Sequence, residues 1–347
     1  MAAVILFLDQ FWPRSNVSVE KTKIQSSSGE RLRRPVGPLE KGLINGFDKR
    51  HIPMIVVLLR LKSKIHLDPD MVRKTLVLLA KRYPPLRMRI SKESENEKPV
   101  TEYFTEMKYP SEINFKVEKD FTPDDDLEAV FEREFETPFD LEVGSLWRVT
   151  LFDEIHVDRG EDAYENVIVF SFLHVITDGS SIAVMMEQFF RYLTMVYEGQ
   201  NVQVKSMPLR PAIGVLMQHR CTPSLLDRAV FKVSSWIPRL RAVLKIPSPE
   251  NVYLVRYPPV FTRDPGAADK TLVVFRELSL EETLGLTKTC KMVKCSVHGA
   301  ITAASHIAMA KILRKGSGET SLKSLCLKSS YNINIRKECR QIGRAHV

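Results

Sequence analysis

Residues 51–63, "HIPMIVVLLRLKS", carry an apolar side chain at nearly every position. A strand with one wet face alternates apolar and polar residues; one that does not alternate needs cover on both faces. The chain must therefore build a sheet with a further layer against each side, and the segments that follow supply the layers. "HLDPDMVRKTLVLLAKRYPPL" (66–86) offers Asp68 as N-cap, Pro69 at the first helical position and Pro84-Pro85 as a stop. "LRMRISK" and stretches near 99–104 and 113–118 read as strands. "DDDLEAVFEREFETPFD" puts Leu127, Val130, Phe131 and Phe135 on one helical face with acids in the first turn. "SLWRVTLFDEI" and "ENVIVFSFLH" read as two more strands. "SSIAVMMEQFFRYLTMVYEG" spaces Ile182, Met185, Met186, Phe189, Leu193, Val196 and Tyr197 as a helix, with Gly199 as its C-cap. Helices set between strands make the first 200 residues one α/β domain.

The 347 residues exceed one ordinary core and imply about two domains. From 201 to 270 prolines and basic residues dominate, which reads as a crossover or linker holding one or two helices. A second α/β unit starts at "KTLVVFRELSLEETLGLTKTCKMV", where Ser279 and Glu282 form a capping box. "SVHGAITAASHIAMAKILRKGSG" reads as a small-residue helix and "LKSLCLKSSYNINIRKEC" as a strand. His298 and His306, eight apart on that helix, read as packing or surface residues. The last seven residues, "QIGRAHV" (341–347), match one translation frame of a sequencing adapter, so the natural chain is expected to continue past Gln341.

Composition narrows the function class. Five cysteines without a CxxC pair or ligand-like clustering point to reduced thiols in a cytoplasmic setting, with no disulfide framework and no metal site. The apolar stretch Ala2–Leu8 lacks a basic flank and a cleavage site and is too short to span a bilayer. Much of the +9 net charge is local: residues 201–246 hold eight basic residues against Asp227 alone. No nucleic-acid motif accompanies that excess, which leaves an acidic ligand, a lipid surface or solubility. Within it, residues 224–245 place Leu226, Ala229, Val230, Val233, Trp236, Ile237, Leu240 and Val243 on one helical face, with basic side chains opposite and Pro238 as a kink. That pattern suits a peripheral membrane contact as well as a packed crossover.

The chemistry concentrates at "FSFLHVITDGSS" (170–181), where an apolar strand stops at His174 ahead of Asp178 and Gly179. An imidazole is the side chain best matched to taking and returning a proton near neutral pH. At a strand end its ring is held by the core while its nitrogens can face a cleft. Asp178 can cap the following helix or hold a cation, Gly179 frees the backbone for a sharp turn, and Ser180 and Ser181 read as capping residues. A core histidine followed by a cap has the same spacing, so the pattern alone leaves both readings open.

"HVITDG" resembles the HxxxDG motif of the chloramphenicol-acetyltransferase-like superfamily, which includes condensation domains, alcohol acyltransferases, wax-ester synthases and BAHD acyltransferases. Three segments in the same order are similar to that superfamily's: "GPLEKGLI" (37–44), "KRYPPLRMRI" (81–90) and "TPFDLEVGSLWRVTLF" (137–152). "VHGAITAASHIAMAK" and "YNINIR" are similar to segments of its second lobe. The resemblance implies two α/β lobes, the second incomplete in this chain: an N-terminal extension (1–36), a first lobe (37–200), a crossover (201–270) and the start of a second lobe (271–340). His174 would lie in a channel between the lobes as general base, moving an acyl group from a thioester, acyl-CoA, to a hydroxyl or amine. Asp178 would pair with Arg336 to hold the motif, with Gly179 as the turn glycine. No permanently bound cofactor, metal or nucleic acid is implied, and the chain is expected to be a monomer. Leu173 stands where many condensation domains and wax-ester synthases have a first histidine, which favours the single-histidine acyltransferases. The rivals are a peptide-synthetase-like condensation domain and a silent binding protein of the same fold.

Overall fold

A computed structural model describes residues 31–45, 53–64, 66–93, 100–108, 113–119, 127–156, 164–212 and 272–317, with isolated positions between 215 and 244. The chain divides into two compact units. The first holds β1 (Arg33–Pro35), α1 (Pro38–Asn45), β2 (Met54–Ser63), α2 (Pro69–Arg82), a 3-10 turn (Pro84–Arg87), β3 (Met88–Glu93) and β4 (Thr101–Glu106). It continues with β5 (Phe115–Glu118), α3 (Leu127–Glu136), β6 (Trp147–His156), β7 (Tyr164–Leu173) and α4 (Gly179–Tyr197).

The strands form two sheets, ordered β2-β7-β6-β5 and β1-β4-β3. β7 is central in the larger sheet and antiparallel to both neighbours, with Met54 opposite Leu173 and Trp147 opposite Phe172. β5 and β6 are parallel, which requires a crossover, and α3 supplies it. The expected double cover is present. Ile168, Phe170 and Phe172 of β7 belong to one buried cluster with Leu76 and Leu79 of α2 and Phe189 of α4. Val167 and Val169, one residue out of phase, pack with Val130 of α3. The non-alternating strands are thus explained by helices on both faces.

Local signals hold as read at several helix ends. The Asp68 side chain accepts from the Asp70 amide ahead of Pro69. Gly199 has φ +69, and the bonds Gly199 N–H to Val196 O and Gln200 N–H to Met195 O close the end of α4 as a Schellman motif. Two boundaries move. Residues 33–35, placed in an extension by the sequence, pair with β4, and Val202, Val204, Met207 and Leu209, placed in the linker, pack against the core. Gly37 explains part of that: a Cβ there would lie 2.4 Å from the Cβ of Ala212, so only glycine lets the two segments meet.

The second unit contains α5 (Leu280–Met292) and α6 (Val297–Ser317). Its capping box is present: Ser279 N–H donates to the Glu282 carboxylate at 2.7 Å, and Glu282 N–H to Ser279 Oγ at 3.2 Å. The hydrogen bond from the Ser279 backbone, and then that from its side chain, hold the Glu282 carboxyl below its ordinary pKa. Within the basic segment, Leu226, Val230, Val233, Trp236 and Val243 are helical and exposed, the rest of 224–245 lying mostly outside the described residues. No helix among the described residues is long and apolar enough to cross a membrane. The reading of Ala2–Leu8, the strand containing "YNINIR" and the final seven residues also lie outside them.

Candidate active site

The site is built at the end of the central strand. β7 finishes at Leu173, whose amide donates to Leu146 O at 2.9 Å; the His174 amide donates to Pro53 O at 2.8 Å. Both neighbouring strands therefore hold the backbone on which the imidazole stands. A turn through Val175 and Ile176, both buried, brings the Thr177 carbonyl back over the ring, 3.0 Å from His174 Nδ1. A carbonyl only accepts, so Nδ1 carries the proton and Nε2 of the neutral ring keeps its lone pair. The half-buried ring lines a cavity of about 210 Å³ together with Tyr83, Leu86, Phe104, Met185 and Leu209. The result is an imidazole of fixed tautomer in a mostly apolar hollow.

Asp178 is the N-cap of α4, its Oδ1 accepting from the Ser181 amide at 2.9 Å. Ser180 and Ser181, read as capping residues, are instead the second and third residues of the helix that Asp178 caps. Gly179 corrects the sequence reading too. It opens α4, its φ lies outside the left-handed region, and a Cβ on it would meet nothing within 4 Å. The turn does not need its conformational freedom. Arg336 lies outside the described residues. Leu173, in the place of a first motif histidine, is 1% exposed and packs in the core.

Three ion pairs each include a residue of a segment singled out by the resemblance, and the first of them lines the hollow. Arg34 Nη1 and Nη2 donate to Glu40 at 2.8 and 2.6 Å, the Gly37 amide donates to the same carboxylate at 2.7 Å, and the guanidinium lies 4.4 Å from the Phe104 ring centre. Arg87 Nε donates to Glu106 at 2.7 Å while its Nη1 donates to Ala80 O and Lys81 O near the end of α2. Arg148 Nε donates to Glu134 at 2.6 Å, and its Nη2 to the Glu134 and Thr137 carbonyls at 2.7 and 2.9 Å. Ser171 of β7 donates to the same Glu134 carboxylate at 2.8 Å, tying α3 and β6 to the strand that carries His174. Trp147 adds a fourth tie, Nε1 to Leu86 O at 2.8 Å.

Sequence reading missed most of these partners. For Glu134 a signal existed: at seven residues from Leu127 it falls on the helical face assigned to the core, a place for a paired acid. Tyr83 gave none. Its hydroxyl is buried beside the cavity without a hydrogen-bond partner among the described residues, and Arg210, also on the wall, carries no ion pair among them. Among the described residues no group of three or more His, Cys, Asp or Glu is placed to hold a metal.

Residues 49–209 match the family model of the Condensation domain. No curated protein matches the chain in sequence. Among solved structures, the first condensation domain of the calcium-dependent antibiotic synthetase, in complex with a substrate analogue, aligns at 14% identity over 80% of this chain and 59% of its own, with a TM-score of 0.51. The epimerization domain from the third module of tyrocidine synthetase B aligns at 18% identity over 64% and 47%, TM-score 0.42. Polyketide synthase associated protein 5 from Mycobacterium tuberculosis aligns at 14% identity over 80% and 57%, TM-score 0.48. The chain thus spans about half the length of the solved structures it matches. The mixed α/β fold is that of condensation domains, and the resemblance to the chloramphenicol-acetyltransferase-like superfamily stands. The family match favours the condensation-type rival over the coenzyme A-dependent acyltransferase read first.

Proposed function

From a segment, residues 49–209, that matches the Condensation domain of the chloramphenicol-acetyltransferase-like superfamily, we propose that the chain carries the first half of a condensation-type acyltransferase. It joins the acyl or aminoacyl group of a thioester to an amine. The observation that carries this reading is the His174 ring, with its Nδ1 proton committed to Thr177 O and its Nε2 lone pair left to work beside an apolar cavity.

In this scheme Nε2 accepts the proton of the acceptor N–H as the nitrogen attacks the thioester carbonyl. The C–N bond forms, the carbonyl becomes an oxyanion, and its collapse breaks the C–S bond. The imidazolium then returns the proton to the leaving thiolate, so the base is regenerated within one turnover. Such a base is worth about 10²–10⁴ in rate, and holding donor and acceptor together supplies much of the rest. Asp178 acts through structure: it caps α4 and so sets the turn that aims His174. The two-lobed channel, with Arg336 as partner of Asp178, belongs to the same proposal.

A matched donor panel tests the reading. One acyl group is presented on a carrier-protein phosphopantetheine arm and on coenzyme A, each against an amine and an alcohol. Amide product from the carrier-bound thioester is the expected result. Ester formed only from the coenzyme A donor would return the chain to the alcohol acyltransferases, and absence of product from every pair would overturn the assignment.

A further inference from the structure

In the second unit, α5 ends between two cysteines. Cys290 is the third residue from the end of the helix, and Cys295 is the residue before Ser296, whose hydroxyl accepts from the Gly299 amide at 3.0 Å as α6 begins. Between them Lys294 takes φ +55, and two bonds close the turn: Lys294 N–H to Lys291 O at 3.3 Å and Cys295 N–H to Cys290 O at 3.0 Å. This is a Schellman motif, with cysteines at the two positions whose side chains it brings against each other. Their spacing along the chain is not that of a CxxC pair, so the juxtaposition exists only once the turn is formed.

An amide-to-carbonyl bond of 3.0 Å keeps the two Cα atoms within roughly 7 Å, and a disulfide spans about 4.4–6.8 Å. Both thiols are free; Cys290 is buried and Cys295 exposed. They also act on each other directly: burial first, and then the Cys295 side chain, push the Cys290 thiol above its ordinary pKa. An accessible thiol with a sheltered one in reach behind it is the arrangement of a reactive cysteine and its resolving partner.

We infer that Cys290 and Cys295 are a reversible redox site, closed to a disulfide by a low-molecular-weight disulfide such as oxidised glutathione. Cys295, as thiolate, attacks one sulfur of the reagent; that S–S bond breaks and the first glutathione leaves with the proton Cys295 gave up. Cys290 then attacks the Cys295 sulfur, and the second glutathione leaves with the Cys290 proton. Two protein thiols are oxidised, one glutathione disulfide is reduced to two thiols, and reduced glutathione reverses both steps. The bridge joins the last turn of α5 to the residue that leads into α6, so oxidation stiffens the corner between these helices. The inference is independent of the chemistry proposed at His174.

The test titrates the full chain with oxidised glutathione and digests it with trypsin without reduction. The peptides Thr289–Lys291 and Cys295–Lys311 should appear joined, two hydrogens lighter than their sum, and should separate with dithiothreitol. The amides from Val293 to Gly299 should exchange hydrogen at least about threefold more slowly in the oxidised protein. Cys290→Ser should stop at the mixed disulfide, with one glutathione held on Cys295. Cys295→Ser, a change at an exposed position, should leave Cys290 unmodified, and this arm stands even if Cys290→Ser fails to fold. Wild-type protein that keeps both thiols free in excess reagent would overturn the inference. So would a stable glutathione adduct on Cys295 with no transfer to Cys290, a bridge from either residue to a different cysteine, or amide exchange unchanged by oxidation.

Discussion

Glu134 and Arg148 are each 8% exposed on the side chain, and their pairing is where a single substitution should show most. Arg148→Met strands a buried carboxylate and is expected to cost about 3–5 kcal/mol in urea unfolding. Adding Glu134→Gln removes that charge and keeps an acceptor for Ser171, so the double variant should be more stable than Arg148→Met alone. A double variant less stable than the single would contradict the pairing. The two helix-end glycines of α4 make an opposed pair of predictions. Gly199→Ala forces a side chain into φ +69 and should cost about 1–2 kcal/mol, whereas Gly179→Ala meets open space and should be neutral or stabilising by up to about 1 kcal/mol. Thermal melts of the two variants decide it; a large loss at Gly179 would restore the turn role first read from the sequence.

At the scale of elements, the helix ends were legible because their chemistry is local. Asp68-Pro69, Ser279 with Glu282, and Gly199 each satisfy backbone groups within a few residues of themselves, so spacing alone reveals them. Sheet order was not legible. That β7 sits between β2 and β6, and that β5 runs parallel to β6, depends on contacts far apart in sequence. The same holds for the site: His174 and Asp178 could be read from one turn, while Glu40 and Tyr83 reach the hollow from other elements. The α5 capping box carries a pH signature. Because the folded Glu282 carboxyl titrates below its ordinary value, the stabilisation it lends is fully present above the unfolded carboxyl's pKa and is lost as pH falls through the folded one. The Ser279 amide resonance should therefore titrate with a midpoint below that of a free glutamate. A midpoint at or above the free value would mean the box is open in solution.

For the molecule as a whole, the first unit holds the end of β7 by the Leu173 and His174 amides, and the Thr177 carbonyl then fixes a single imidazole tautomer beside a hollow. The transfer proposed for this chain needs such a ring together with two substrates brought against it. The second unit exposes Leu280, Leu284, Ile301, Ile307 and Ile312, so its helices do not bury these residues between themselves. The most direct measurement is the initial rate of amide formation from a carrier-bound thioester, compared between the wild-type chain and His174→Ala at matched folded concentration. The account predicts a fall of about 10²–10⁴, larger than any change the loss of the bond to the Thr177 carbonyl would cause through stability, which the matched folded concentration removes. Equal rates in the two proteins would contradict it, and with it the assignment of His174 as the base.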